Sequence, residues 1–516
     1  MSRPEPGKVY LIGAGPGDPG LLTLKGRDYL SRSQVVVYDH LVNKAILRHA
    51  PRNAELIYAG KKAGHATLEQ SEINALLISR AKEGKIVSRL KGGDPFIFGR
   101  GGEEAQALQQ QGIPFAVAPG VSSVIAVSAY AGIPLTHRTL SSSISIITGS
   151  AEKSHDDIFI DWENMARRTG TLVFLMGARR LPVIVEKLLE FGKNPKTPVA
   201  IVRKGSTGKQ KTWTGTLDTI VEIAMRDQIA PPALTIIGEV VRMKPEMDWY
   251  ETLPLFGKTI VVTRPEHQAA GLIDLLQEKG ADAINFPVIQ TVAPEDWTPL
   301  DAALGRLSTY QGLIFTSVNG VDFFMQRLKE TRRDLRDLKG VRIYAIGPKT
   351  EQAIRDLGLR VDVRPEQFVA ESLIQSMSQE TLKGKRFLLP RASVAREILP
   401  EQIRDAGGEI DVVPAYQTIA PDAFFKTELN QSLENGEIDA VTFTSSSTVT
   451  NFMELVEPAN RARLSQVALA CIGPITADTL KQYGFEASVV PKDYTVEALA
   501  EGIESFFNSA KPPDAS

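Results

Sequence analysis

Short apolar runs, punctuated by glycine and proline and separated by amphipathic stretches, limit what this chain can fold into. VYLIGAG (9–15), SQVVVYD (33–39), GKIVSRL (84–90), SISIITG (143–149), TLVFLMG (171–177), TPVAIV (197–202) and ALTIIGEVV (233–241) are all of strand length. A strand that is apolar at successive positions is buried on both faces, as in a sheet covered by helices. Alternation of such runs with helical stretches predicts an α/β chain. The stretch MKPEMDWYETLPLFGK (243–258) breaks the pattern with two prolines and no periodicity, which places the main linker there. A length of 516 residues exceeds one core and suits roughly two to four domains.

Past the linker the pattern restarts at GKTIVVTRP (257–265) and then repeats itself at an offset of about 127 residues. KTIVVTRP (258–265) answers KRFLLPRA (385–392), and PVIQT (287–291) answers PAYQT (414–418). LIFTSVNGVDFF (313–324) answers VTFTSSSTVTNF (441–452). YAIGPKTEQAIRDLGL (344–359) answers ACIGPITADTLKQYGF (470–485), and VAESL (369–373) answers TVEAL (495–499). A duplicated α/β unit predicts two lobes of similar fold, joined by paired crossings near Gln290 and Gln417, with a ligand cleft between them.

Composition excludes several classes. The net charge of −2 gives no basis for nucleic-acid binding, although the first 256 residues carry +7 and the remainder −9. One cysteine, Cys471, excludes a disulfide framework and any cysteine-rich metal site, and suits a reducing cytoplasm. Residues 1–8 do not resemble a signal peptide, no apolar stretch is long enough to span a membrane, and the tail AKPPDAS reads as disordered.

Two glycine-rich loops carry the chemistry of the first half. GAGPGD (13–18) follows a strand and precedes a helix, as in a dinucleotide-binding turn. Asp18 stands at the third glycine position, and Pro16 lacks the N–H a pyrophosphate would need. A ligand without a pyrophosphate suits the turn better, and a plain strand–helix turn would also read this way. GGDPFIFGRGGEE (92–104) is more specific. Gly92 and Gly93 allow close backbone approach, Asp94 can accept from a ribose or an amino group, and Phe96, Ile97 and Phe98 form an apolar wall. His40, His65 and His137 have no zinc-binding spacing, so no metal is expected.

Together with VVVYDHLV (35–42), GKKAGH (60–65), APGVSS (118–123), YAGIPLTHR (130–138), FLMG (174–177) and PALTIIGEVV (232–241), these loops resemble the uroporphyrinogen III C-methyltransferases, within the tetrapyrrole methylases. The resemblance spans about residues 8–245. It implies two α/β subdomains with S-adenosylmethionine in the trough between them, and a homodimer. It implies cofactor contacts at Pro16, Gly92, Gly93, Asp94, Ile97, Ser122, Ser123, Met176 and Gly205, with Ala233 in a motif that lines the adenine site. Ser122–Ser123 replaces the commoner Thr-Ala. Asp39 matches the family's proton acceptor and Lys61 its proton donor. The substrate carries eight carboxylates, so Lys61, Lys62, Arg89, Lys91, Arg100 and Arg138 are candidate contacts, chiefly Arg89, Lys91 and Arg100. Each could instead be a solvated charge, and Asp39 could instead cap the next helix.

The second half by itself reads as a two-lobed α/β protein with a cleft, which a solute-binding module would share. Its hydroxyl clusters, Thr316-Ser317 and Thr444 to Thr448, and the IGPxT turns with Thr350 and Thr476 can bind carboxylates or merely cap helices. Tyr416 is either a packing aromatic at the crossing or a cleft residue. TRP (263–265), FTSVNGV (315–321), AIGPKT (345–350), PAYQT (414–418), FTSSSTV (443–449) and CIGPITADTL (471–480) resemble uroporphyrinogen III synthase over about 257–508. That family closes hydroxymethylbilane with inversion of the last ring and loss of water, and needs no cofactor. Tyr416 matches its best acid candidate; Ser445, Ser447 and Thr476 match positions facing the cleft, and Ser317 is a further candidate substrate contact.

The fold class expected is therefore α/β throughout: a tetrapyrrole-methylase fold of two α/β subdomains, then a two-lobed synthase module built from a pseudo-repeat. The partition is methyltransferase 1–245, linker 246–256, synthase 257–508 and tail 509–516, with lobe one at 257–288 plus 418–508 and lobe two at 291–415. The activity expected is bifunctional, from hydroxymethylbilane through uroporphyrinogen III to precorrin-2, in a cytoplasmic homodimer joined through the methyltransferase half, with no nucleic-acid or membrane partner. The rival readings are a methyltransferase whose second half is a non-catalytic tetrapyrrole-binding or regulatory module, and an NAD-dependent dehydrogenase built on GAGPGD.

Overall fold

The computed structural model describes residues 7–51, 53–60, 68–149, 160–365, 373, 376–377, 382–393, 398–419 and 423–509. The chain divides into two compact units. One holds residues 1–285, 432–446 and 458–516, the other 286–431 and 447–457.

The first half forms two five-stranded sheets. The first contains β1 (Val9–Gly13), β2 (Val35–Tyr38), β3 (Glu55–Tyr58), β4 (Val87–Lys91) and β5 (Phe115–Ala118), in the order β3-β2-β4-β1-β5 and parallel throughout. Its burial follows the period of two that a strand imposes. Val9, Leu11, Val35, Val37 and Val87 enter one core, while Tyr10, Ile12, Val36, Leu90 and Ala118 enter another. Both faces are thus covered, as the apolar runs require. Helices α1 (Leu24–Leu30), α2 (Gln70–Lys82), α3 (Gly101–Gln110) and α4 (Ser123–Tyr130) follow successive loops of this sheet.

The second sheet is mixed. It contains β6 (Ile144–Thr148), β7 (Thr171–Leu175), β8 (Pro198–Arg203), β9 (Lys211–Thr216) and β10 (Ala233–Ile237), in the order β6-β7-β10-β8-β9. Only β6 and β7 run parallel. Leu172, Phe174, Val199 and Ile201 bury on one face, and Val173, Ala200, Val202 and Leu234 on the other. SISIITG departs from that rule: Ile144 and Ile146 are exposed, because β6 is the edge strand.

The stretch read as a linker is packed against the first half. Trp249 donates its indole N–H to the Ala129 carbonyl at 2.9 Å, and Tyr250 sits edge-on to Tyr130 and Phe256. The chain then continues into the next sheet within the same unit, where Gly257 N–H donates to Gly208 O at 3.1 Å and Lys209 pairs with Asp282 at 3.2 Å.

The second half supplies β11 (Thr259–Val262), β12 (Asp282–Asn285), β13 (Gln290–Val292), β14 (Gly312–Phe315), β15 (Arg342–Ala345), β16 (Arg386–Ala392), β17 (Glu409–Ile419), β18 (Ala440–Phe443) and β19 (Ala468–Cys471). They form two sheets, β12-β11-β18-β19 and β13-β17-β16-β14-β15. The duplicated segments therefore do not each build one sheet. β11 and β12 from the first copy join β18 and β19 from the second, while β14 and β15 join β16 and β17. The shared order β12-β11-β18-β19 and β17-β16-β14-β15 is the duplication seen in space. The crossings pair antiparallel, Thr291 opposite Thr418 and Val292 opposite Gln417.

Candidate functional site

In the first half the glycine loops at the carboxyl ends of β1, β4 and β5 are in backbone contact. A Cβ on Gly13 would lie 2.4 Å from the Gly120 Cα and 2.6 Å from Gly93 O, distances side chains do not tolerate. Gly15 and Gly93 exchange two backbone hydrogen bonds, of 3.2 and 2.8 Å. Asp94 ties the third loop in, accepting from Phe96 N–H at 2.8 Å and Gly120 N–H at 3.0 Å. Gly93 takes φ +68°, with its closest neighbours at Ser122 and Ser123 and none within 3.4 Å of a Cβ position. Ser122 caps α4 through Val124 N–H. Pro16, Gly92, Gly93, Asp94, Ser122 and Ser123 therefore share one end of the parallel sheet.

The second sheet contributes the opposing loops. Ala233 lies opposite Arg203, and Leu234 opposite Leu175, so Met176, Gly205 and Ala233 meet at one end of β7, β8 and β10. The two sets are joined directly. Asp18 N–H donates to Ser206 Oγ at 3.4 Å, and a Cβ on Gly205 would lie 2.4 Å from Val127 of α4. Asp18 also caps the turn Pro19–Leu21 and accepts from the Tyr130 hydroxyl at 2.5 Å. This carboxylate fills the place where a dinucleotide fold needs glycine, which argues against the dehydrogenase reading.

Five of the seven non-glycine residues with left-handed φ among the described residues lie in these loops: Phe98, Arg100, Met176, Lys204 and Ser206. Such strain gathers where a ligand or a fixed loop shape requires it. Among the described residues Phe96, Ile97, Phe98 and Met176 are 41–55% exposed and form an apolar wall. The arrangement can hold a small ligand with apolar faces and no phosphate.

Asp39 ends β2. Its Oδ1 accepts from Leu41 N–H at 3.0 Å, and its Oδ2 faces Arg89 at 3.4 Å. Arg89 and Lys91 point inward from β4 and are almost fully buried, so neither forms an exposed row of positive charge. Both bond Oε1 of Glu104, at 3.1 and 2.7 Å. Burial, with Arg89 alongside, pulls the Lys91 ammonium below its ordinary pKa. Arg100 is exposed and pairs with Glu103 at 2.8 Å. Lys61, with Lys62 and His65, lies outside the described residues. His40 is exposed and His137 bonds Thr139, and among the described residues no group of His, Cys, Asp or Glu is placed to hold a metal. Glu104 escaped the sequence reading. The signal was available in RLK (89–91): two cations at alternate positions of a buried strand require an acid on the covering helix.

In the second half Tyr416 is buried in β17, its hydroxyl 3.0 Å from Ser317 Oγ and its ring stacked on Phe323. Ser317 also caps the helix Val318–Glu330, accepting from Gly320 N–H. Thr350 and Thr476 are buried at matching positions of two helices in which they are not the caps. Ser317, Tyr416 and Ser447 belong to one compact unit, Ser445 and Thr476 to the other.

Residues 8–221 match the family described as Tetrapyrrole (Corrin/Porphyrin) Methylases, and residues 270–501 match Uroporphyrinogen-III synthase HemD. The molecule is thus a tetrapyrrole-biosynthesis protein of two enzyme modules. The "Porphyrin biosynthesis protein HemD" of Ruminiclostridium josui is 35% identical over 497 residues, covering 96% of this chain and 97% of that one. The uroporphyrinogen-III C-methyltransferase of Priestia megaterium is 52% identical over 235 residues, 46% of this chain and 98% of that one. A crystal structure of the Thermus thermophilus uroporphyrin-III C-methyltransferase, complexed with S-adenyl homocysteine, is 42% identical; it covers 46% of this chain and 94% of that one, with a TM-score of 0.40. The chain belongs to the family in which a uroporphyrinogen III C-methyltransferase is fused to a uroporphyrinogen III synthase.

Proposed function

We propose that the protein closes hydroxymethylbilane to uroporphyrinogen III in its second half and methylates that product twice in its first, giving precorrin-2. The observation that carries this reading is the backbone contact of Gly13, Gly93 and Gly120, which sets three loops on one face beside Asp39. The residues fit S-adenosylmethionine: the exposed wall of Phe96, Ile97, Phe98 and Met176 suits its apolar faces, and Asp18 excludes a pyrophosphate. Pro16, Gly92, Gly93, Asp94, Ile97, Ser122, Ser123, Met176, Gly205 and Ala233 would hold it. When bound it supplies an electrophilic methyl group. The protein's own part is to orient the macrocycle carbon toward that methyl and to exclude water. Asp39 takes up the proton released at the macrocycle, with Lys61 as donor. Arg100 meets substrate carboxylates at the rim, while Arg89 and Lys91 act from beneath Asp39.

In the second half, Tyr416 assists departure of the bilane hydroxyl by donating its proton, backed by Ser317 at 3.0 Å. Ser445, Ser447 and Thr476 offer hydroxyls to the substrate carboxylates, and no cofactor is required. The working partition is 1–245, 246–256 and 257–508. The protein acts as a cytoplasmic homodimer joined through the methyltransferase half; among the described residues, no helix is long and apolar enough to cross a membrane.

The test is a coupled assay on hydroxymethylbilane with and without S-adenosylmethionine. The type III macrocycle without the methyl donor and precorrin-2 with it are the expected products. Formation of only the type I macrocycle would show that the second half is not a synthase and leave it a binding module. No oxidation to sirohydrochlorin is expected.

A further inference from the structure

Glu104 is a buried acid that the proposed chemistry does not use. It lies in the first turn of α3 and is 0% exposed. Three donors converge on its Oε1: Lys91 Nζ at 2.7 Å, Arg89 Nε at 3.1 Å and Gln70 Nε2 at 3.2 Å. Among the described residues its Oε2 has no hydrogen-bond partner. Burying a carboxylate costs desolvation free energy, and stability alone gives no reason to keep one here.

The geometry of Arg89 supplies a reason. Its Nη1 donates to the carbonyls of Leu90 at 3.1 Å and Val37 at 3.4 Å, and its Nε edge is held by Glu104. Only Nη2 reaches Asp39, and at 3.4 Å this contact is long for a charged hydrogen bond. A guanidinium free of Glu104 could turn its two-nitrogen fork onto Asp39 and occupy both carboxylate oxygens. Held as it is, it orients Asp39 and leaves Oδ2 able to accept a proton.

We infer that Glu104 is a positioning residue for methyl transfer: it anchors Arg89 so that Arg89 aims Asp39 without closing on it. This rests on the reading of Asp39 as the proton acceptor. The charged groups around Asp39 among the described residues are Arg89 and Lys91 from β4 and Glu104 from α3; exposed His40 follows it in the turn after β2, and the Tyr38–Tyr58 ring pair stands between β2 and β3. Two acids therefore balance two bases, and changing one shifts the field on Asp39.

The experiment measures initial rates of uroporphyrinogen III methylation against pH in the full-length protein and in Glu104→Gln and Arg89→Lys variants. In Glu104→Gln the whole Arg89 charge falls on Asp39, which favours the carboxylate. We expect kcat to fall by about tenfold, the acid limb of the kcat profile to move to lower pH, and KM for S-adenosylmethionine to stay within about twofold. Arg89→Lys keeps a cation beside Glu104 but gives up the reach to Asp39, so its acid limb moves to higher pH. Opposite displacements support the inference. Limbs that superimpose on the unmodified protein, even with a lowered melting temperature, overturn it, because a purely structural cluster moves neither. If Glu104→Gln does not fold, the Arg89→Lys profile decides alone. Asp39→Asn separates the two levels. Full methylation in that variant removes the reading of Asp39 itself, whereas its loss beside unmoved limbs removes only the role of Glu104.

Discussion

The candidate centres of the two halves handle polarity in opposite ways. Beneath the first-half site, Asp39, Arg89, Glu104 and Lys91 form a buried network of formal charges. In the second half the candidate centre holds a neutral pair, Tyr416 and Ser317, with Phe323 stacked against the tyrosine ring. Buried charges interact strongly but leave a large penalty when one partner is lost. A hydroxyl pair is cheaper to disturb and can donate or accept. The difference suits the proposed work. Methylating a macrocycle requires a group that is charged at rest and can take up a proton. Releasing a hydroxyl requires a donor that is neutral at rest and can give up its proton.

Four experiments would break or sharpen that contrast. Asp39→Asn should lower methylation by about 10²- to 10⁴-fold while cyclisation of hydroxymethylbilane continues; simultaneous loss of both would mean the two centres are not separable. Glu104→Ala should destabilise the fold by about 3–5 kcal/mol, because Arg89 and Lys91 keep their charges without their acid, and thermal denaturation would read this as a lowered melting temperature. A loss below about 1 kcal/mol would mean the network is solvated rather than dry. Tyr416→Phe removes one oxygen and should lower cyclisation by roughly tenfold, with methylation unchanged and little effect on stability. An unaltered type III product rate would return Tyr416 to a packing role. The smallest effect concerns Cys471, whose thiol is pushed by burial from 9.0 up to about 12. The folded value lies above the unfolded one, so the associated stability is present below about pH 9 and is lost as pH rises toward 12. At pH 8 iodoacetamide should leave the native protein unlabelled and modify one cysteine in denaturant, as mass spectrometry would show.

Much of the architecture was readable in advance because strand burial leaves a local trace. VYLIGAG shows its two-sided burial residue by residue, and the offset repeat announced a duplicated α/β unit. SISIITG did not reveal that Ile144 and Ile146 would be exposed, since an apolar strand reads the same at the centre of a sheet and at its edge. MKPEMDWYETLPLFGK looked like a connection and proved to be packed, because Trp249 and Tyr250 find their partners at Ala129 and Tyr130, far away in sequence. Among site residues, the glycine loops were legible from their own composition, whereas the inward turn of Arg89 and Lys91 was not.

The sequence by itself determined the alternation of elements, the duplication, the glycine-rich loops and the family, because each is written in a contiguous segment or a fixed spacing. The tertiary structure alone decided the order of the strands within each sheet, how Asp18 and Ser206 join the two sets of loops, and which acid stands under Arg89. These depend on contacts between segments tens to hundreds of residues apart. Sheet order and buried charge pairing are properties of the packed chain, and a local pattern fixes only that a partner must exist.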